Sequence, residues 1–181
     1  MTAQSQQKQH APSIGQQLDN CATQFDILRL LREITSMFGY QHFFVANAPA
    51  TEAQSLSEAI IITSVPSDLV QDHEAREPVS SNPLAGILGQ TGAPFEFRLD
   101  GSACQVPADF RSFAEGVSNG YNLDCWFIVP VYHPDHGTAA VFFLGKRLPL
   151  SMRWLSWLFT GIWCTRNCVR FLPSLQKPTL L

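Results

Sequence analysis

Cys125-Trp-Phe-Ile-Val-Pro-Val-Tyr-His-Pro-Asp-His-Gly-Thr-Ala-Ala-Val-Phe-Phe-Leu144 is the stretch on which the fold of this chain turns. Two runs rich in aromatic and β-branched residues, Cys125–Tyr132 and Thr138–Leu144, flank His133-Pro-Asp-His-Gly137. Such runs suit a pleated, half-buried surface, and the Pro, Asp and Gly between them supply the backbone angles of a turn. The pair reads as an antiparallel hairpin. Just before it, Pro107-Ala-Asp opens a helix with Phe110, Phe113, Ala114 and Val117 on one side, which Asn119-Gly120 ends. Just after it, Ser151 begins a long helix that runs to Phe171 and is stopped by Pro173.

Farther out, Ile27, Leu28, Leu31, Ile34 and Phe38 recur at helical spacing, so Ile14–Phe38 reads as one amphipathic helix with Gly39 as its C-cap. Tyr40–Val45 reads as a strand. A second strand is expected over Glu58–Thr63, where three consecutive Ile suggest burial on both faces. Pro66-Ser-Asp starts a short helix through Ala75, since Pro and an acidic residue belong in a first turn. Asn82-Pro83 starts another, with Asn as N-cap, and Gly89 and Gly92 end it. Pro94–Phe97 is a short extended piece. The order implies an α/β/α sandwich around a central, mostly antiparallel five-stranded sheet.

Composition narrows the function. The 181 residues suit one domain with tails, and a 45% hydrophobic fraction gives ample core. Thirteen Phe and four Trp exceed what a bare scaffold needs, and such residues often line ligand pockets. A net charge of -3 gives no overall basic signal for nucleic acid. The five Cys have no paired spacing and read as free thiols in a reducing compartment. Residues 1–13 are polar and Gln-rich, a disordered tail without the apolar core of a secretion signal. The most apolar stretch, Trp154–Thr165, is closed by Arg153 and Arg166 and is too short to span a bilayer. A cytoplasmic protein is expected. His133, Asp135 and His136 share a hairpin tip and make no tetrahedral metal set, and no nucleophile–base pair suggests an enzyme.

Several spacings agree, in order, with one family. Gly39-Tyr-Gln-His-Phe-Phe44 follows the first amphipathic helix. Pro66-Ser-Asp-Leu-Val-Gln-Asp-His73 and Asn82-Pro83 come next, then Ala93-Pro-Phe-Glu-Phe97. Gly120, Ile128-Val-Pro-Val131 and Ala140-Val-Phe-Phe-Leu144 complete the series. Across about residues 20–172 the pattern resembles the autoinducer-binding domain of LuxR-type quorum-sensing regulators. The likeness leans toward divergent members such as the VisN/VisR motility regulators. It implies a sensor domain over residues 14–172, with a layout shared by GAF and PAS domains. It also implies that residues 173–181 begin a linker to a helix-turn-helix DNA-binding domain beyond this chain. DNA would be reached only through that domain.

The resemblance also implies a ligand site. In the family a Trp indole, an Asp and a Tyr hold the polar head of an acyl-homoserine lactone, because an unpaired buried polar group costs roughly 1–3 kcal/mol. Here the matching positions hold Leu69, Asn82 and His73. Leu69 cannot donate, and Asn82 accepts without charge. Phe97 stands where the family has a second aromatic, Trp126 is a candidate wall residue, and Phe143 falls where a Ser or Thr often faces the ligand. The expected ligand is therefore an acyl-homoserine lactone or another small apolar-tailed molecule, with no further cofactor. Trp154, Trp157, Leu158 and Trp163 cover more than one face of the last helix, more than a surface helix needs. They are the expected interface of a dimer, with a second copy or a related LuxR-type chain.

Two other functions fit parts of the pattern. A ligand-independent dimerisation or anti-activator module would keep the fold and pair with a full-length LuxR-type regulator. A nucleotide sensor would share the layout but needs basic residues at its mouth, where only scattered ones such as Arg98 and Arg111 are on offer.

Overall fold

The hairpin forms the centre of the sheet. In the computed structural model, which describes residues 14–48, 55–76, 92–100, 108–133 and 137–146, strands β4 (Cys125–His133) and β5 (Gly137–Gly145) pair in unbroken register from Cys125↔Gly145 to His133↔Gly137. Gly137 begins the return with φ of 80°, a conformation that favours glycine. β5 also pairs antiparallel with β1 (His42–Asn47), from His42↔Leu144 to Asn47↔Ala139. β2 (Ile60–Thr63) lies beyond β1, and β3 (Phe95–Arg98) lies beyond β4. The five-stranded order is β2-β1-β5-β4-β3, and every pairing is antiparallel. The α/β fold is the one the sequence implies.

The first helical stretch differs from the expectation. It is two helices, α1 (Ile14–Asp19) and α2 (Gln24–Met37), not one. The break is chemical. Thr23 is extended and its hydroxyl accepts from the Asp26 N–H, while the Asp26 carboxylate accepts from the Thr23 N–H, which starts a new helix. The Thr23 hydroxyl also donates to the Asp26 carboxylate at 2.8 Å, and this bond, followed by those from the Ala22 and Thr23 N–H groups, holds the Asp26 carboxyl below its usual range. Gly39 then takes φ of 74°, as a C-cap should, and the Gln41 N–H donates to Leu144 O at 2.8 Å to start β1. A Cβ on Gly145 would stand 3.1 Å from the Tyr40 Cα, a tight fit that favours glycine at this crossing.

Two further boundaries move. Residues expected at the start of the second strand form a short helical turn, α3 (Leu56–Ala59), because Ser55 and Glu58 make another capping box. The three Ile residues pack on both faces, Ile61 and Ile62 on one and Ile60 on the other, but not to full burial. β2 is an edge strand in which only Ile62 is buried, and a bulge opposite Val45 and Ala46 divides Ile60 from its neighbours. Next come α4 (Ser67–Arg76) and α5 (Ala108–Tyr121). The latter continues past Asn119-Gly120 and ends at Asn122, whose φ of 60° suits an Asn. The tail, the helices expected after Asn82 and Ser151, the linker at 173–181, and Trp154, Trp157, Leu158 and Trp163 lie outside the described residues.

Strand alternation splits neighbouring aromatics between two cores. Facing α1 and α2 are Phe43, Phe143 and Phe127 in one cross-strand row, and Val45, Val141 and Val129 in the next. Ile27, Leu30, Leu31 and Ile34 of α2 cover them. The other face carries Phe44, Phe142 and Ile128 in one row, and Leu144, Trp126 and Phe97 in another. Ala59, Val65 and Leu69 from the α3–α4 region, and Leu123 after α5, pack there.

Candidate functional site

The second face holds three of the residues picked out by the resemblance. Leu69 reaches it from α4, Phe97 from β3 and Trp126 from β4, all in one cluster. Phe97 and Trp126 are direct cross-strand partners and are 0% and 1% exposed. His73 is on α4, one helical turn beyond Leu69 and so on the same face; its side chain is not among those described. Asn82 lies outside the described residues.

Phe143 is not part of this group. It faces α2 and packs on Tyr40 with ring centroids 5.7 Å apart. The residue of that pair on the Leu69 face is Phe142, which stacks on Phe44 at 4.2 Å with an interplanar angle of 13°. A motif match placed one residue off along a strand moves the side chain to the other face, and that is the whole of the correction. Phe44 is the residue of this face that sequence reasoning did not single out, and only the cross-strand register, Phe44↔Phe142↔Ile128, places it there.

The wall is dry on its protein side. The Trp126 indole N–H donates to Leu123 O at 3.1 Å, and the buried Ser118 hydroxyl donates to the same carbonyl. Both polar handles are thus committed inward, and the surface they leave is aromatic and aliphatic. At its edge stands Arg111 of α5. Its guanidinium lies 6.0 Å from the Phe97 ring centroid and donates to Leu99 O at 3.1 Å. α5 is tied to α4 by the Tyr121 hydroxyl, which donates to Asp72 at 3.2 Å. Beyond the end of α5 opens a cleft of about 440 Å³ lined by Leu99, Ser118, Gly120, Asn122, Leu123 and Asp124.

The α2 face has a polar corner of its own, at the β3 edge. Glu96 accepts from the buried Arg98 at 2.8 Å and from the Cys125 thiol at 3.2 Å. Burial alone would lower the Arg98 pKa, but the hydrogen bond and charge of Glu96 more than offset this and hold it above the ordinary value. Burial, with the bond to Glu96, pushes the Cys125 thiol up to about 12, so it is protonated and a poor nucleophile. Burial likewise raises the Tyr40 hydroxyl. Charged side chains on an edge strand also discourage sheet-to-sheet pairing. Among the described residues no group of His, Cys, Asp and Glu could hold a metal ion, and no helix is long and apolar enough to cross a membrane.

Comparison with known proteins gives the arrangement a family. A family model described as the autoinducer binding domain matches residues 23–162. A comparison with curated proteins gives no match. Among solved structures, the chain is similar to CepR2 of Burkholderia cenocepacia, described as an N-acylhomoserine lactone dependent LuxR family transcription factor. The TM-score is 0.61 at 10% identity, over 90% of this chain and 93% of that one, so the likeness is one of fold. Since the family match spans well over half of the chain, this protein is a divergent member of the autoinducer-binding domain family, a signal-sensing regulatory domain rather than an enzyme.

Proposed function

We propose that this domain senses a small apolar-tailed signal on the aromatic face beneath α4 and α5, and so controls dimerisation and DNA binding of a LuxR-type regulator in the cytoplasm. The observation that carries the reading is the convergence of Leu69, Phe97, Trp126, Phe44 and Phe142 from separate elements onto one apolar wall. Such a wall takes an acyl chain and rejects a bare polar molecule, because a polar group against it would lose its water without gaining a partner. Its own donors are turned away, so any head-group contacts must come from its rim. His73, one turn from Leu69 on α4, is one residue expected from the family pattern. Asn82 is another expected from the family pattern. An acyl-homoserine lactone is one ligand of this shape, and CepR2 depends on one.

Native mass spectrometry of the purified chain, alone and with a panel of lactones, fatty acids and cyclic dinucleotides, tests this. Retention or uptake of an apolar-tailed molecule is the expected result. A chain that stays empty across the panel would refute the sensor reading.

One observation favours a second reading. Trp126 and Phe142 are each 1% exposed and fill the face with the protein's own rings. A ligand-independent module that pairs with a full-length LuxR-type regulator would be built that way. In that case the empty chain would run as a dimer, through the Trp154, Trp157, Leu158 and Trp163 segment.

A further inference from the structure

Arg111 is a half-buried cation beside the candidate wall, and among the described residues no carboxylate pairs with it. Two other arginines do have a carboxylate. Arg98 is buried and has Glu96 at 2.8 Å; Arg29 is exposed and has Asp26 at 3.6 Å. A guanidinium that has lost part of its water usually gains an anion in return. Arg111 gains the Leu99 carbonyl and the face of Phe97, which fix its position but bring it no counter-charge among the described residues. One of its five N–H donors is used by Leu99.

Its placement points the same way. Arg111 and Ser118 are seven residues apart on α5 and so share a face, and Ser118 is turned into the core. The charge therefore stands on the sheet side of the helix, against Phe97 and at the edge of the apolar wall. The donors of the wall itself, the Trp126 indole and the Ser118 hydroxyl, are both spent on Leu123 O.

We infer that the signal for this site is an apolar-tailed carboxylate, with its tail on the Phe97, Trp126 and Phe142 wall and its head on the Arg111 guanidinium. This rests on the sensor reading above and deepens it by naming the head group. A planar guanidinium fork matches a carboxylate with two parallel, charge-assisted hydrogen bonds. A lactone or ester offers the same fork an uncharged carbonyl. Asp124 disfavours an anion in the neighbouring cleft, so the head is assigned to the guanidinium and not to that cleft.

Isothermal titration of the full chain with decanoate and with methyl decanoate tests the inference, since the two share a tail and differ in charge. Wild type should bind decanoate at least roughly tenfold more tightly, the discrimination one charge-assisted contact supports. Arg111→Gln should abolish that preference and leave the ester affinity within about twofold of wild type. Arg111→Lys keeps the charge without the fork, and should keep part of the preference. It also covers the case in which the Gln variant fails to fold, because there the preference of wild type and of the Lys variant should shrink as salt rises. Equal binding of acid and ester by wild type, or a preference that survives Arg111→Gln, overturns the carboxylate while the sensor reading stands. A chain that binds neither molecule overturns the carboxylate, and the sensor reading falls with it only if the chain also stays empty across the lactone panel.

Discussion

Phe142→Ala should cost this domain stability and alter its ligand site, whereas Phe143→Ala should do only the first. Both rings are 1% exposed, and they point to opposite sides of one strand. Burying a Phe side chain contributes about 1.5–3 kcal/mol. The stack of Phe142 on Phe44, with centroids 4.2 Å apart, adds about 0.5–1.5 kcal/mol. The void left in the Trp126 and Ile128 neighbourhood closes only in part, so the total for Phe142→Ala is about 3–5 kcal/mol. A domain of this kind has about 5–15 kcal/mol in all, so the variant is weakened and a Phe142→Leu variant gives a milder companion. Equilibrium urea unfolding, followed by far-UV circular dichroism, reads the loss as a lower midpoint at unchanged slope. Titration with an apolar-tailed ligand then separates the faces. Affinity should change for Phe142→Ala and stay near wild type for Phe143→Ala. A loss below about 1 kcal/mol for Phe142→Ala would contradict the packing, and a binding change confined to Phe143→Ala would place the site on the other face.

Three further outcomes follow from the local chemistry. Thr23→Ala removes the N-cap of α2 and should lower unfolding free energy by about 1 kcal/mol in the same urea assay, with an Asp at that position restoring it. Gly39→Ala places a side chain at φ of 74° and should cost about 1–2 kcal/mol, whereas Gly120→Ala meets nothing within 4 Å and should cost less. The Cys125 thiol titrates near 9.0 in an unfolded chain and near 12 in the fold. Between those values the unfolded chain holds fewer protons, so stability falls as pH rises through that window. Urea midpoints of wild type should drop more steeply there than those of Cys125→Ala, and Cys125 should resist a thiol reagent until the protein unfolds.

Much of the fold is legible in the sequence because its strongest signals are local. Cys125–Leu144 alternates with turn chemistry between its halves, and the structure extends each strand by only a residue or so. The errors arose where a short-range hydrogen bond overrode periodicity. Ile14–Phe38 keeps its helical spacing, yet Thr23 and Asp26 cut it in two. Ile60-Ile-Ile62 has the composition of a central strand, but edge or centre is decided by which strands pair, and β5 takes the middle. The site was legible as a set of residue types and less so as a surface. Leu69, Phe97 and Trp126 come from separate elements and lie in one cluster. The exchange of Phe143 for Phe142 shows the limit of matching spacings: a one-residue uncertainty is small for a helix and reverses a strand. Arg111 carried no motif, and its meaning comes only from having Phe97 beneath it.

The division of aromatics between two faces gives the domain two separable tasks. On the α2 side, a helix with a capping box at its start closes over paired rows of Phe and Val, and the polar corner of Glu96, Arg98 and Cys125 is satisfied within the protein. Nothing on that side asks for a ligand. On the other side, the short helices α3 and α4 cover the sheet, and the exposed Tyr121–Asp72 hydrogen bond joins α4 to α5. Among the described residues, this region meets the sheet through Ala59, Val65 and Leu69. A ligand shifts a conformational equilibrium only as far as it prefers one state over the other. A tail between α4 and the aromatic wall, with its head on α5, would touch both helices and the sheet at once. Its binding energy would then fall on α4, α5 and the sheet, and the α2 core would remain the frame behind them.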